Sequence, residues 1–160
     1  MLYSFAVHIR RQTKGTSAMG KITAICISEK RGTAKHPADS AVFTAGHGIE
    51  GDAHAGNWHR QVSMLSYEDI EEFNRMGGGV ADGDFGENLV VSGLELSELA
   101  PGSRLVSGTV VLEVTQRGKE CHNDCEIKKR VGRCIMPENG IFARVLHGGT
   151  VRKGDKISIE

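Results

Sequence analysis

The chain has 160 residues with 20 basic and 20 acidic side chains, so its length fits a single domain and its balanced charge argues against a polyanion partner. It lacks an apolar run near the ~18 residues of a membrane helix and the continuous apolar core of a secretory signal, which predicts a soluble, cytoplasmic protein with no nucleic-acid or membrane partner. Twenty-one glycines and only 5% aromatic residues fit a mainly β fold rich in turns.

Residues 1–19 carry Arg10, Arg11 and Lys14 and no acid, unlike the rest of the chain. They read as an N-terminal extension or alternative start ahead of a domain over residues 20–160. The alternation of Tyr3, Phe5, Val7 and Ile9 with Ser4, Ala6 and His8 leaves an added edge strand open as a second reading, and a targeting peptide is a third.

From Gly20 the pattern predicts strands over 21–28, 41–45, 61–65, 87–91, 104–106, 109–116, 141–146 and 156–159. Val106-Ser107-Gly108-Thr109 reads as a tight hairpin connection. Two helices interrupt the strands. Ser66-x-x-Asp69 has the form of a capping box and starts a helix over 67–76, with Ile70 and Phe73 inward and Gly77 as its left-handed stop. Asn123 caps a shorter helix that runs to Val131 and ends at Gly132. Cys26 sits in an alternating run and reads as a small core residue.

Three of the four cysteines, Cys121, Cys125 and Cys134, follow the most strand-like segment of the chain. Such clustering in a reducing compartment points to reactive thiols or a metal site. Cys121 would precede a helix N-terminus, whose dipole, together with Arg117, Lys119 and His122, favours the thiolate; Glu120 and Asp124 oppose it. Cys121-x3-Cys125-x8-Cys134 with His122 supplies four soft ligands, but the spacing departs from the C-x2-C knuckle and no second pair completes it. A metal-free site is therefore expected, with no tightly bound zinc.

A second polar concentration is Gly51-Asp52-Ala53-His54-Ala55-Gly56 followed by His59-Arg60-Gln61. The glycines let backbone approach a ligand, Asp52 and His54 share a face of extended chain, and Arg60 is suited to a phosphate or carboxylate. A turn closed by Asp52 on its own backbone is the plainer reading of the same residues. Glu87 and Asn88 stand at a strand entrance, where they reach a pocket or tie the turn. Gln116 ends an inward face, at a cavity rim or as a partnered core amide.

Together, Gly51-Asp-Ala-His54, Arg60-Gln-Val-Ser63, Phe85-Gly-Glu-Asn88, Val114-Thr-Gln116, Cys121 and Gly154-Asp155 resemble the MOSC domain, named for the C-terminal part of molybdenum-cofactor sulfurases. Gly118-Lys-Glu-Cys-His, Met136-Pro137 and Gly140-Ile-Phe-Ala-Arg-Val resemble its small stand-alone bacterial branch. The resemblance implies a closed MOSC-type β-barrel with a few short helices over residues 20–160. It implies a pocket cysteine, here Cys121, that carries sulfur as a persulfide or binds the metal of a molybdopterin cofactor. His54, Arg60, Asn88, Gln116 and Lys119 are the matching cofactor-binding candidates. Gly86 stands where the eukaryotic amidoxime-reducing relatives have Arg, which moves phosphate binding to Arg60 or Lys119. The chain has no room for a pyridoxal-phosphate fold, so a persulfide would come from a partner such as a cysteine desulfurase. The acceptor would be molybdopterin or a molybdoenzyme. Two functions stay open: a sulfur carrier or sulfurtransferase of molybdenum-cofactor metabolism, and a non-catalytic module that binds or hands over molybdopterin. A structural Cys/His metal-binding domain is the further alternative.

Overall fold

A computed structural model describes residues 18–120 and 126–160. The expectations placed on residues 1–17, on Cys121, His122 and Cys125, and on the Asn123 cap lie outside the described residues.

Among the described residues eleven strands form two sheets. They are β1 Met19–Ile27, β2 His36–Ala38, β3 Ser40–Thr44, β4 Gly48–Ile49, β5 Val62–Ser66, β6 Leu89–Ser92, β7 Arg104–Ser107, β8 Val110–Arg117, β9 Ile141–His147, β10 Gly149–Arg152 and β11 Lys156–Ile159. The described residues also hold three short helices: α1 Tyr67–Arg75, α2 Glu126–Val131 and α3 Met136–Asn139. A 3-10 turn spans Leu96–Glu98. The strands run β11-β7-β8-β9-β5-β6-β1, and β1 pairs back onto β11, so seven strands close a barrel with β2 appended to β1. The second sheet has the order β10-β3-β4.

Closure joins the ends of the described chain, with Met19 opposite Ser158 and Gly20 opposite Ile157. Pairing is antiparallel except between β5 and β6, where Met64, Leu65 and Ser66 run alongside Leu89, Val90 and Val91. A parallel pair needs a crossover, and α1 with the loop after it supplies one. The loop returns through Phe85-Gly86-Glu87-Asn88, at the foot of β6.

Alternation places the cores. Ile22, Val62, Met64, Leu89, Leu112, Ile141 and Val145 fill the barrel. Leu65, Val90, Cys26 and Phe142 belong to a second cluster with Ile70 and Phe73 of α1, Ile127 of α2, Met136 of α3 and Ile135 just before it. Strand β5 is buried at all five residues because it faces both clusters. Cys26 is a core residue as expected, with no exposure.

Ser66 occupies the N-cap of α1, but its hydroxyl donates to Leu94 O at 3.1 Å and makes no cap bond. The capping-box expectation is corrected: Ser66 is fully enclosed by the chain that follows β6, and that carbonyl takes the hydroxyl hydrogen. The other end behaves as expected. Gly77, at φ +95°, donates to Asn74 O (3.1 Å) and Gly78 to Phe73 O (3.0 Å), a Schellman closure that requires the left-handed residue.

Candidate functional site

Strand β1 delivers Ser28 into a turn that carries Arg31 outward and Lys35 inward. Lys35 is fixed through its backbone, donating to Gly83 O at 2.9 Å, where a side chain on Gly83 would collide with Lys35 O at 2.1 Å. Its side chain is wholly enclosed. Nζ donates to Asp52 Oδ1 (2.7 Å) and Ser28 Oγ (3.1 Å) and lies 2.9 Å from His54 Nδ1.

Asp52 comes from the loop after β4, which docks on β1 through Ala53 N donating to Ser28 O at 2.7 Å. Both Asp52 oxygens are used: Oδ1 by Lys35 and Ser28 N, and Oδ2 by His54 N at 3.1 Å. Burial would raise the Asp52 pKa, but the Lys35 ammonium and the two backbone N–H groups hold it below the usual carboxylate value. For His54, burial first and then the charges of Lys35, Arg31 and Lys119 push the pKa down to about 4 against the opposing pull of Asp52. His54 is therefore a neutral imidazole near pH 7.

The only tryptophan, Trp58, anchors the next wall. Its Nε1 donates to His54 O at 2.7 Å, and its ring stacks on the imidazole with centroids 6.3 Å apart and planes inclined by 13°. The guanidinium carbons of Arg31 and Arg60 each lie 4.9 Å from the Trp58 centroid, and Arg60 is 5.5 Å from the Phe142 ring. Arg31 Nε donates to Ala53 O. Arg60 Nε is buried and has no hydrogen-bond partner among the described residues.

These groups line an open cleft of about 1200 Å³. Its basic wall is Arg31, Arg60, Lys119 and Lys129, while Asp84 is the one acidic side chain among its described lining residues. Its apolar wall includes Ile127, Met136 and Phe142, with half-buried Cys134 beside them. Lys119 is positioned by the chain below it: Gly118 N donates to Gly140 O at 2.6 Å and Lys119 N to Pro137 O at 3.3 Å. Two guanidinium groups against an indole, with two lysines on the same cleft wall, can hold an anion and a planar ring together.

Three sequence candidates, His54, Arg60 and Lys119, thus meet at one cleft. Asn88 and Gln116 do not reach its lining. Asn88 is fully buried; its Oδ1 accepts from Ser63 N (3.0 Å) and its Nδ2 donates to Cys26 O (3.0 Å), so it clamps β5 to β1. Its amide is consumed by the backbone, which corrects the expectation of direct ligand contact. Gln116 is held between His59 Nε2 (2.9 Å) and Gly118 O (2.8 Å). Arg31, Trp58, Lys129 and the enclosed Lys35 escaped the sequence reading; the lone Trp between His54 and Arg60 was the one signal available.

Glu87 is also enclosed. Its Oε1 accepts from Phe85 N (3.1 Å), its Oε2 has no partner among the described residues, and burial raises its pKa to about 7. Desolvation likewise pushes the Cys26 thiol up to about 12, helped by Glu87. Among the described residues no group of three His, Cys, Asp or Glu side chains is arranged to hold a metal ion. No described helix is long and apolar enough to cross a membrane.

The fold is similar to that of three solved structures. The YUAD protein from Bacillus subtilis superposes with a TM-score of 0.76 at 23% identity, over 90% of this chain and 97% of that one. YiiM from Geobacillus stearothermophilus gives 0.66 at 20% identity over 88% and 75%. YiiM from Escherichia coli gives 0.61 at 19% over 88% and 69%. No curated protein matches the sequence. The family model for the MOSC domain matches residues 51–158, which hold Asp52, His54, Trp58, Arg60 and Lys119. With that match over most of its length and a closed seven-stranded barrel beneath it, the chain belongs to the MOSC domain family, a family associated with molybdenum-cofactor metabolism.

Proposed function

We propose that this chain is a sulfur carrier or sulfurtransferase of molybdenum-cofactor metabolism, with Cys121 as the sulfur-bearing residue and the basic cleft as the site for molybdopterin. The observation that carries the ligand half is Arg60. A guanidinium packed between Trp58 and Phe142, with a buried Nε that nothing in the described chain satisfies, is a donor waiting for an acceptor. A phosphorylated planar heterocycle fits such a cleft: Arg60, Lys119 and His54 would hold the phosphate, and Trp58 would face the ring. Asn88 and Gln116 support that wall from behind, through Ser63 and Gly118.

The sulfur half rests on chain position. Lys119 and Ile127, on either side of the segment that contains Cys121, both line the cleft. When bound, the cofactor would supply the metal that receives or presents sulfur; the chain supplies the thiolate. In loading, the Cys121 thiolate attacks the outer sulfur of a donor persulfide. The donor's S–S bond breaks, the donor leaves as a thiolate, and the new S–S bond leaves Cys121 as a persulfide with its proton on the outer sulfur. Cysteine desulfurase, or another persulfide donor, is the partner this step requires.

Intact mass after incubation with a persulfide donor tests the reading. A gain of about 32 Da, one sulfur atom, that disappears in Cys121→Ser supports it. A second reading, a binding or handover module without chemistry, is favoured by the cations and aromatic rings that dominate the described cleft lining. Co-purifying pterin fluorescence with thiols that never load would select it.

A further inference from the structure

The three contacts of Lys35 Nζ determine the state of the histidine beside it. An ammonium has three hydrogens and no lone pair, so Asp52 Oδ1, Ser28 Oγ and His54 Nδ1 must all accept. The Ser28 hydroxyl hydrogen goes on to Lys30 O at 3.1 Å, which leaves the Ser28 oxygen for Lys35. With the Nδ1 lone pair taken, the proton of the neutral ring sits on Nε2. The His54 side chain is 33% exposed and belongs to the cleft lining, so Nε2 is the nitrogen left for a ligand.

We infer that buried Lys35 locks His54 as the neutral Nε2–H tautomer, a donor with no acceptor to offer, and that this makes His54 a specificity residue for an oxyanion of the ligand, phosphate or carboxylate. The ligand class rests on the reading of the cleft given above; the tautomer does not. The charged groups acting on the ring are Lys35, Asp52, Arg31 and Lys119, and with burial their net effect holds its pKa near 4. The ring therefore keeps one proton throughout the physiological range. It has no Nε2 lone pair with which to ligate a metal or accept a proton. Beside Arg31 and Arg60, an Nε2–H group favours an oxyanion and rejects ammonium or N–H donors at the same place.

Long-range proton–nitrogen correlation spectra of the nitrogen-15-labelled protein test the tautomer directly. His54 should show a protonated Nε2 and an unprotonated Nδ1, unchanged from about pH 8 to about pH 5. In Lys35→Met the cation that opposes imidazole protonation is gone while Asp52, whose Oδ2 lies 3.9 Å from Nδ1, still favours it, so the titration midpoint should rise by at least about one pH unit. If that variant does not fold, the wild-type spectrum still decides. Titration with inorganic phosphate should shift the His54 Nε2–H resonance. His54→Ala should weaken phosphate binding about tenfold, as for loss of one charge-assisted hydrogen bond, while His54→Gln, which keeps a donor, restores most of it. An Nδ1–H tautomer or an imidazolium at neutral pH overturns the inference, as does an unchanged His54 titration in folded Lys35→Met. An Nε2–H tautomer in a cleft whose signals ignore phosphate overturns the oxyanion class, and with it the ligand half of the proposed function.

Discussion

Lys35 Nζ and Asp52 Oδ1 lie 2.7 Å apart, and neither side chain has any exposure. Because each ion is compensated only by the other and its hydrogen bonds, deleting one strands the second in a low-dielectric site. Asp52→Asn should cost about 3–5 kcal/mol. On a domain of this size that is a fall of roughly 10 °C or more in thermal midpoint. Lys35→Met paired with Asp52→Leu should recover much of the loss, since no buried charge is then left unpaired. Thermal unfolding of the two single variants and the pair reads the coupling.

The same pair sets the acid limb of stability. Asp52 has a folded pKa below its ordinary 3.8, so its contribution is complete above that value and is lost as pH falls through the lowered one. Midpoints measured downward from pH 5 should drop below about pH 4, and Asp52→Asn should flatten that drop.

Glu87 acts in the opposite direction. Burial raises its folded pKa from 4.5 to about 7, so the contribution of Glu87 itself is complete where it is protonated, below 4.5, and is lost as pH rises from there to about 7. The loss is on the order of 2 kcal/mol between about pH 5 and pH 8. Glu87→Gln, which cannot ionise, should remove that slope. A wild-type midpoint that stays constant over this range would contradict it.

Arg60 is a test of the cleft. Arg60→Met keeps the stack on Trp58 and Phe142 in volume but removes the charge and the unpartnered Nε, so phosphate or pterin-phosphate binding should weaken by about 1.5–3 kcal/mol, tenfold or more. Arg60→Lys should restore little, because a point charge does not reproduce a planar group packed between rings. Fluorescence of Trp58, the single indole, gives the binding curve.

Thiol reactivity should follow surroundings. Cys26 is enclosed and its thiol is pushed up to about 12, so iodoacetamide near neutral pH should leave it unlabelled until denaturant is added. Cys134, half-buried on the cleft wall, should label in the folded protein, and Cys121 fastest of all. Early label on Cys26 in the folded state would contradict the packing of β1.

The strands legible in the sequence, β1, β3, β5 to β9 and β11, carry alternating or continuous apolar residues of their own. β2, β4 and β10 were not, because His36-Pro37-Ala38, Gly48-Ile49 and Gly149–Arg152 become strands by pairing with β1 or β3 and have little period of their own. The site divides the same way. His54, Arg60 and Lys119 announce themselves as polar groups among glycines or beside a strand. Lys35 looks like an exposed lysine in a polar stretch, and only the fold shows that it is surrounded by Ser28, Asp52 and His54. Asn88 and Gln116 were noticed for their polarity, which is taken up within the protein, by backbone for Asn88 and by His59 and Gly118 O for Gln116.

Closure of the barrel by β1 and β11 carries a consequence for biosynthesis. Met19 leaves the ribosome well over a hundred residues before Ser158, its partner across the seam. Until then one edge of β1 lacks the strand that completes it, and an exposed edge of this kind invites pairing with another chain. The barrel can be sealed only once β11 has emerged, so until then the nascent chain keeps an open edge through which it can misassociate.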